Sequence, residues 1–453
     1  MITYQDMLKA KNLNKFLISS IASYRQTNEY LTALDADEYE AQRNKTIINL
    51  THMIYDITGV AVPDTISANN RIPSNFFHRL NTDRVAYSLG NGIFFVQKEG
   101  EPDIKEALGN TLDTKLFDGF YSALIHGGAY LYIGEDDYTV FPMTEFLPLM
   151  DEETGDLRAG IRFWSLDWNH RPVYVELYEE DGFTRFRSKD GKPGLTQLEE
   201  IQPKRAYIVR TQTSAADGTE IVGGENYSAL PIVPLYATRS RQSTLVGMRP
   251  KIDAYDIVHS GFANDLQECA QMYWLIGNAM GMDDNDVQKL RDRLLFQHIA
   301  VVDTQNASLS AHTQEPPFEA RRACLDYLRA SIYEDFAVLD VHTVAAGATN
   351  DHIDAGYQPM DEEADRFEYE IIKAVQAIER LKGLPELVPQ FKRNKISNQK
   401  EQTEMVMLAA DHLDEETLLS KFPWITVDEI PGILERKGVD EAARYVDEEE
   451  PEE

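Results

Sequence analysis

Apolar residues recur at steps of three and four along Val246–Leu381, and the reading of the whole chain starts from that stretch. Ile252, Tyr255, Val258, Phe262, Leu266 and Cys269 fall on one helical face, about 25 Å long at ~1.5 Å per residue. Leu325, Leu328, Ile332 and Phe336 repeat the period in a second helix. Between them, Tyr273–Pro317 is too long for a turn and too short for an ordinary domain. Ala337–Asn350 is a loop of small and β-branched residues, and Asn350–Leu381 is helical again, with Pro359 placed to kink it. Two narrow-striped helices with an insert at one end and a loop at the other leave apolar faces in want of neighbours. That suits a spoke in a ring better than a closed enzyme.

Upstream, Met1–Asn44 is polar and helix-prone, with a weak stripe at Leu13, Phe16, Leu17 and Ile21, and is expected as a peripheral bracing arm. A helix through Phe77, Leu80, Val85 and Leu89 is broken by Gly90-Asn91-Gly92, and Ile93–Val96 is a short strand. Leu108–Gly127 is helical and ends on Gly127-Gly128. The period then switches to two at 129–133, 138–141, 159–164 and 173–178, continued at 183–186, 207–211 and 232–236. The pattern predicts one antiparallel meander with acidic turns, so Thr51–Thr238 reads as an α+β body. Downstream, Glu401–Ala410 is a helix with Met405 and Leu408 inward, and a small helical unit follows. Asp447–Glu453 is a solvated acidic tail, expected to be disordered.

Charge narrows the picture. The 453 residues carry 44 Lys+Arg against 76 Asp+Glu, a net charge of −32. Such a surface repels phosphate backbones and anionic lipid, yet suits a protein that nucleic acid slides past. Two cysteines, Cys269 and Cys324, lie on or beside the two stripes and are expected as reduced core residues of an intracellular protein. Met1–Ser20 does not read as a secretory leader, and no run approaches the ~18 apolar residues of a membrane span.

Catalytic signatures are missing: no phosphate-cradling Gly-rich loop, no Gly-x-Ser-x-Gly, no His-Glu-x-x-His and no Cys-x-x-Cys. His342, His352, Asp340, Asp351 and Asp354 lack the i, i+4 regularity of helix-borne metal ligands, so neither metal nor cofactor is expected. The most compact basic cluster is Lys392, Arg393, Lys395 and Lys400. On the residues alone, a non-ring acidic helical adaptor and a carboxylate-metal nuclease stay open as alternatives.

An ordered set of segments now resembles the portal proteins (head–tail connectors) of tailed phages and prophages. They are 70–77 running into 85–94, 126–133 with 141–151, 231–236 followed by 252–266, 319–333, and 350–361. The resemblance implies a ring, typically of about twelve copies, around a channel for double-stranded DNA. It implies an α+β portal fold: an N-terminal helical arm (1–50), an α+β wing (51–245), a stem helix (246–272) and a small α/β clip (273–317). A returning stem helix (318–337), a tunnel loop (338–349), a kinked long helix with wing (350–393), a short helical crown (394–437) and an acidic tail (438–453) follow. It further implies that the clip docks the terminase large subunit and a head-completion adaptor, with capsid and scaffolding proteins as further partners and no membrane. Val341, His342, Thr343, Val344 and Thr349 would face DNA from the tunnel loop, and Lys392, Arg393 and Lys395 could touch it near the crown. This crown is short, and Leu339–Asn350 holds no Lys or Arg, which weakens any gripping role for the loop. No catalytic role is implied.

Overall fold

Twelve α-helices are described in the computed structural model: α1 Tyr4–Lys9, α2 Leu13–Tyr24, α3 Asn28–Glu40, α4 Lys45–Ile48, α5 Phe76–Leu89, α6 Ile104–Leu108, α7 Leu112–His126, α8 Arg249–Glu268, α9 Phe318–Asp335, α10 Asn350–Lys382, α11 Gln399–Leu408 and α12 Glu415–Lys421. The strands are β1 Met53–Tyr55, β2 Ala61–Pro63, β3 Ile93–Phe94, β4 Ala129–Ile133, β5 Tyr138–Pro142, β6 Phe146–Met150, β7 Leu157–Trp164, β8 Tyr174–Glu179, β9 Gly182–Ser188, β10 Leu198–Arg205, β11 Ile208–Thr213, β12 Glu220–Glu225, β13 Ile232–Leu235, β14 Tyr273–Gly277, β15 Ser308–His312 and β16 Gln390–Phe391. The described residues are 2–436 apart from 56–58, 66, 96–103, 136, 166–171, 190–194, 214–219, 269–272, 278–284, 286–288, 290–307, 313–317, 344–348, 396–398, 423–424, 426–429, 431 and 435. The chain divides into two units, one of 1–37, 78–246 and 333–453, the other of 38–77 and 247–332.

In the first unit the β half is two larger sheets and a separate β11–β12 hairpin rather than the single meander the alternation suggested. β4 pairs with β5 and β13, while β6 to β10 form a separate antiparallel sheet in the order β10-β9-β8-β7-β6. The chain turns just after Pro142, whose carbonyl accepts from the Glu145 N–H at 2.9 Å, and leaves the first sheet there. Aromatic side chains fill the space between the sheets: Tyr130 and Phe141 from one, Phe146, Tyr178 and Phe183 from the other. Gly160 makes this possible, because a Cβ there would lie 2.0 Å from the Phe146 ring. β6 lies outside the runs of period two, within the 141–151 segment of the resemblance. Its Pro148 is tolerated because β6 is an edge strand, where a missing N–H costs no ladder bond.

A second correction concerns the amino-terminal helices. Leu17 and Ile21 are fully buried in the same cluster as Ile161, Val175 and Leu177 of the five-stranded sheet, so α2 is core rather than periphery. The expected helix before Gly127 runs Leu112–His126 and ends where Gly127 takes φ 93°. Its Leu116, Phe120 and Leu124 share a cluster with Leu131, Leu235 and the Phe367–Ile371–Val375–Ile378 face of α10. α10 stays helical across Pro359, which sits on its exposed side. α11 reverses the expected burial: Met405 is 51% and Leu408 82% exposed. Within one chain nothing described covers that face.

In the second unit α8 and α9 pack antiparallel. Lys251 Nζ donates to Ser331 Oγ at 2.7 Å, Arg321 pairs with Asp265 at 2.6 Å, and the rings of Phe262 and Phe318 meet edge-on. The buried stripe of α8 shares Ile252 with the apolar one and then departs from it. Ile252, Asp256, Ser260 and Asn264 are buried, one turn apart, whereas Leu266 is half exposed. The cause is an extended segment laid along the helix. Ser74 N–H donates to Asp256 Oδ1 (2.9 Å), Ile72 N–H to Ser260 Oγ (3.0 Å) and Asn70 N–H to Asn264 Oδ1 (2.6 Å). Two strand residues advance about 6.6 Å and four helical residues about 6 Å, so alternate backbone N–H groups meet every fourth residue of α8. Cys324, expected in a core, is exposed, and Cys269 lies outside the described residues. Of the insert, β14 and β15 pair antiparallel, Tyr273 opposite His312.

Candidate functional site

The loop 338–349 leaves from one fixed point and returns to another. α9 ends because Ala337 adopts φ 54°, and the Ala337 and Val338 N–H groups close back on the Glu334 and Tyr333 carbonyls (3.0 and 3.1 Å). Val338 is buried, and Leu339 packs on Tyr87, Ile353, Tyr357, Met360 and Ala364. Asp340 then folds the chain into one tight turn. Its Oδ1 accepts from the His342 N–H (3.1 Å), and its carbonyl accepts from the Thr343 N–H (2.8 Å) and Oγ1 (2.7 Å). Val341, His342 and Thr343 are left exposed. Val344 lies outside the described residues. Thr349 caps α10, its Oγ1 accepting from the His352 N–H at 3.4 Å.

The helix that receives the loop is strongly acidic, and the basic cluster foreseen in the sequence is largely spent on it. Arg393 reaches Asp361 (2.9 Å), Asp365 and Glu368 (2.9 Å), residues spaced along one stripe of α10. Lys395 pairs with Asp361 (2.7 Å) and Asp354 (3.6 Å). From α5, the Tyr87 hydroxyl donates to Asp361 (2.7 Å) while its ring stacks on Tyr357 with centroids 5.6 Å apart. Arg84 pairs with Glu363 at 2.6 Å, and Ser88 donates to Glu368 at 3.0 Å. Lys392 differs: its carbonyl accepts from Asn91 (2.8 Å), its side chain is exposed, and no described carboxylate pairs with it.

Electrostatics follow from these contacts. Burial works against an ionised Asp361, but the hydrogen bonds from Lys395, Tyr87 and Arg393 outweigh it and hold its carboxyl below the ordinary range. Glu368, against burial and with Asp365 and Asp361, raises the Arg393 guanidinium. Burial, then Asp361, pushes the Tyr87 phenol up. The result is a braced acidic helix presenting a cation-free loop. Toward a polyanion the described loop residues offer an imidazole, a hydroxyl and a Val side chain, none of which releases counterions as Lys or Arg does. Among the described residues no group of His, Cys, Asp or Glu is placed to hold a metal, and no helix is long and apolar enough to cross a membrane. Sequence reading missed Arg84 and Tyr87; the acids they serve are more than 270 residues away, and no local pattern announces them.

The chain is similar to known proteins along most of its length. The family model described as phage portal protein, SPP1 Gp6-like, matches residues 23–453. The portal protein of Clostridium phage phiCD119 is 23% identical over 388 residues, covering 79% of this chain and 82% of that protein. Among solved structures, a chain from the neck of a native GTA particle covers 77% of this chain and 89% of its own length, at 9% identity and a TM-score of 0.42. A chain from the neck of an empty GTA particle gives 76%, 88%, 9% and 0.43.

Proposed function

The chain belongs to the SPP1 Gp6-like family of phage portal proteins, and on that premise we propose that it assembles as a ring of about twelve copies at one capsid vertex. The ring is the channel through which double-stranded DNA enters during packaging and leaves on ejection. The match over residues 23–453 carries this reading. The part is structural; DNA movement is powered by a separate motor, the terminase.

In this reading α8 and α9 are the stem, 273–317 is the clip that docks the terminase large subunit and later a head-completion adaptor, and 394–437 is the crown. Capsid and scaffolding proteins surround the ring in the virion vertex. The loop 338–349 faces the DNA with Val341, His342, Thr343, Val344 and Thr349. Its lack of Lys and Arg favours a smooth bearing over a grip, because each cation on phosphate adds a salt-dependent hold that opposes sliding. Arg393 and Lys395 serve DNA indirectly by stiffening the helix behind the loop, and Lys392 is the basic residue left to touch a phosphate near the crown.

Light scattering with negative-stain imaging of the same peak tests the ring: the expected result is annular particles with a central hole. A monomer that persists on co-expression with its scaffolding protein overturns it. For the loop, His342→Lys with Thr343→Lys is expected to slow packaging in vitro several-fold at low salt and less at high salt. An unchanged rate at both salts would remove DNA contact from this loop.

A further inference from the structure

The first unit holds a cavity of about 460 Å³, within the range of small-ligand and side-chain pockets, roughly 300–1,000 Å³. Tyr24, Tyr130, Tyr236, Met143 and Leu147 give it an apolar lining, and Arg241 stands at its side. The loop carrying Arg241 is rigidly built. The Arg241 N–H bonds the Thr238 carbonyl (3.1 Å), and the Thr244 N–H bonds the Leu124 carbonyl (2.9 Å). A Cβ on Gly127 would lie 2.9 Å from Ser243 N and 3.0 Å from the Arg241 carbonyl, so only glycine lets the loop close. Arg241 itself is held at φ 53°, a conformation that costs a non-glycine residue free energy. Its guanidinium lies 4.3 Å from the centre of the Tyr236 ring.

Arg239 and Arg241 are exposed, and no described carboxylate pairs with either. Glu29, on the cavity wall, is its one acidic lining residue. The wall also includes Leu147, Pro148 and Met150 of β6, an edge strand whose outer side is met, among the described residues, by Thr3 at Met150. An aromatic-lined hole, an unmatched arginine on its wall with a second two residues away in the same loop, and an open strand edge together fit an extended chain better than a free small molecule.

We propose that this cavity is a docking site for an extended acidic segment of a partner protein, which inserts one large apolar side chain and sets carboxylates against Arg239 and Arg241. Charge complementarity selects the partner's sign, and the tyrosine-lined hole selects its anchor. The reading does not depend on ring formation.

A random dodecapeptide library on beads, probed with the full chain, tests it. Enriched peptides are expected to share an aromatic or large aliphatic residue beside Asp or Glu. By fluorescence polarisation the leading peptide should lose about tenfold or more in affinity on Arg239→Glu with Arg241→Glu, and on Ser23→Trp, which fills the cavity from its exposed rim. The arginine pair lies on a surface loop and keeps the test readable if Ser23→Trp fails to fold. No enrichment, enrichment without acidic residues, or binding that survives the arginine variant overturns the proposal. Displacement by 3-phenylpropionate at equal affinity would also overturn it, making this a small-molecule pocket.

Discussion

Two aspartates are held in opposite electrostatic senses. Asp256 is fully buried on α8; burial raises its carboxyl, with the bonds from Asn44 and Ser74 working the other way and Asp253 adding repulsion. A raised folded-state value means the native state binds the proton more readily than the unfolded chain. Its contribution is therefore complete below the ordinary carboxylate range and is lost as pH rises through the raised value. Asp256→Asn should remove that loss. The new amide has a partner at hand, because Asn44 Oδ1 is buried without one and can accept after a flip. Chemical unfolding at a series of pH values is expected to show the wild type losing ground to this variant from about pH 4 upward. Asp361 is depressed, so Asp361→Asn should be most costly at neutral pH, with the difference fading once pH enters the ordinary carboxylate range and gone below the depressed value. Arg393→Met leaves Glu368 and Asp365 without their cation and Asp361 with Lys395 alone. A cost of about 2 kcal/mol is expected by thermal melting, smaller at high salt.

At the scale of elements, the polar ladder on α8 should outweigh the apolar stripe in the isolated chain. Ser260→Ala strands the Ile72 N–H and is expected to cost about 1–2 kcal/mol, whereas Leu266→Ala, half exposed, should cost under about 0.5 kcal/mol. In α11, Leu408→Glu should leave the melting temperature unchanged, since the side chain is 82% exposed, yet reduce the ring fraction by size-exclusion chromatography if neighbouring copies cover that face. These contrasts mark what periodicity reveals. Elements whose partners are apolar were legible: α7 with Gly127, and β4 residue for residue. Periodicity also found α9 with its inward face, Ile332 and Phe336 being buried, but on α8 and α11 it assigned the wrong face, because it assumes that burial follows hydrophobicity within one chain. On α8 a distant segment supplies backbone donors instead. On α11 nothing described within the chain supplies cover. Of the candidate site, the loop and its lack of cations were legible, but the fate of Arg393 and Lys395 was not. Their partners sit some thirty residues upstream, brought close only by the folding of 383–395 back along α10.

For the whole molecule, charge is the dominant long-range fact. A ring of twelve would carry on the order of −380, so assembly should strengthen as NaCl rises from roughly 0.02 to 0.2 M and the screening length shrinks toward 10 Å or less. Light scattering across that range checks it; a ring fraction independent of salt would show that contacts between copies are insulated from the net charge. The ladder between 70–74 and α8 has a mechanical meaning as well. Its three backbone bonds run across the helix axis, side by side. A pull along the axis must stretch all three together, while a pull away from the helix opens them one at a time. The segment is thus a ratchet pawl in miniature, stiff against sliding and easily peeled. In single-molecule pulling, handles that shear it along α8 should rupture it at a markedly higher force than handles that lift it at Asn70.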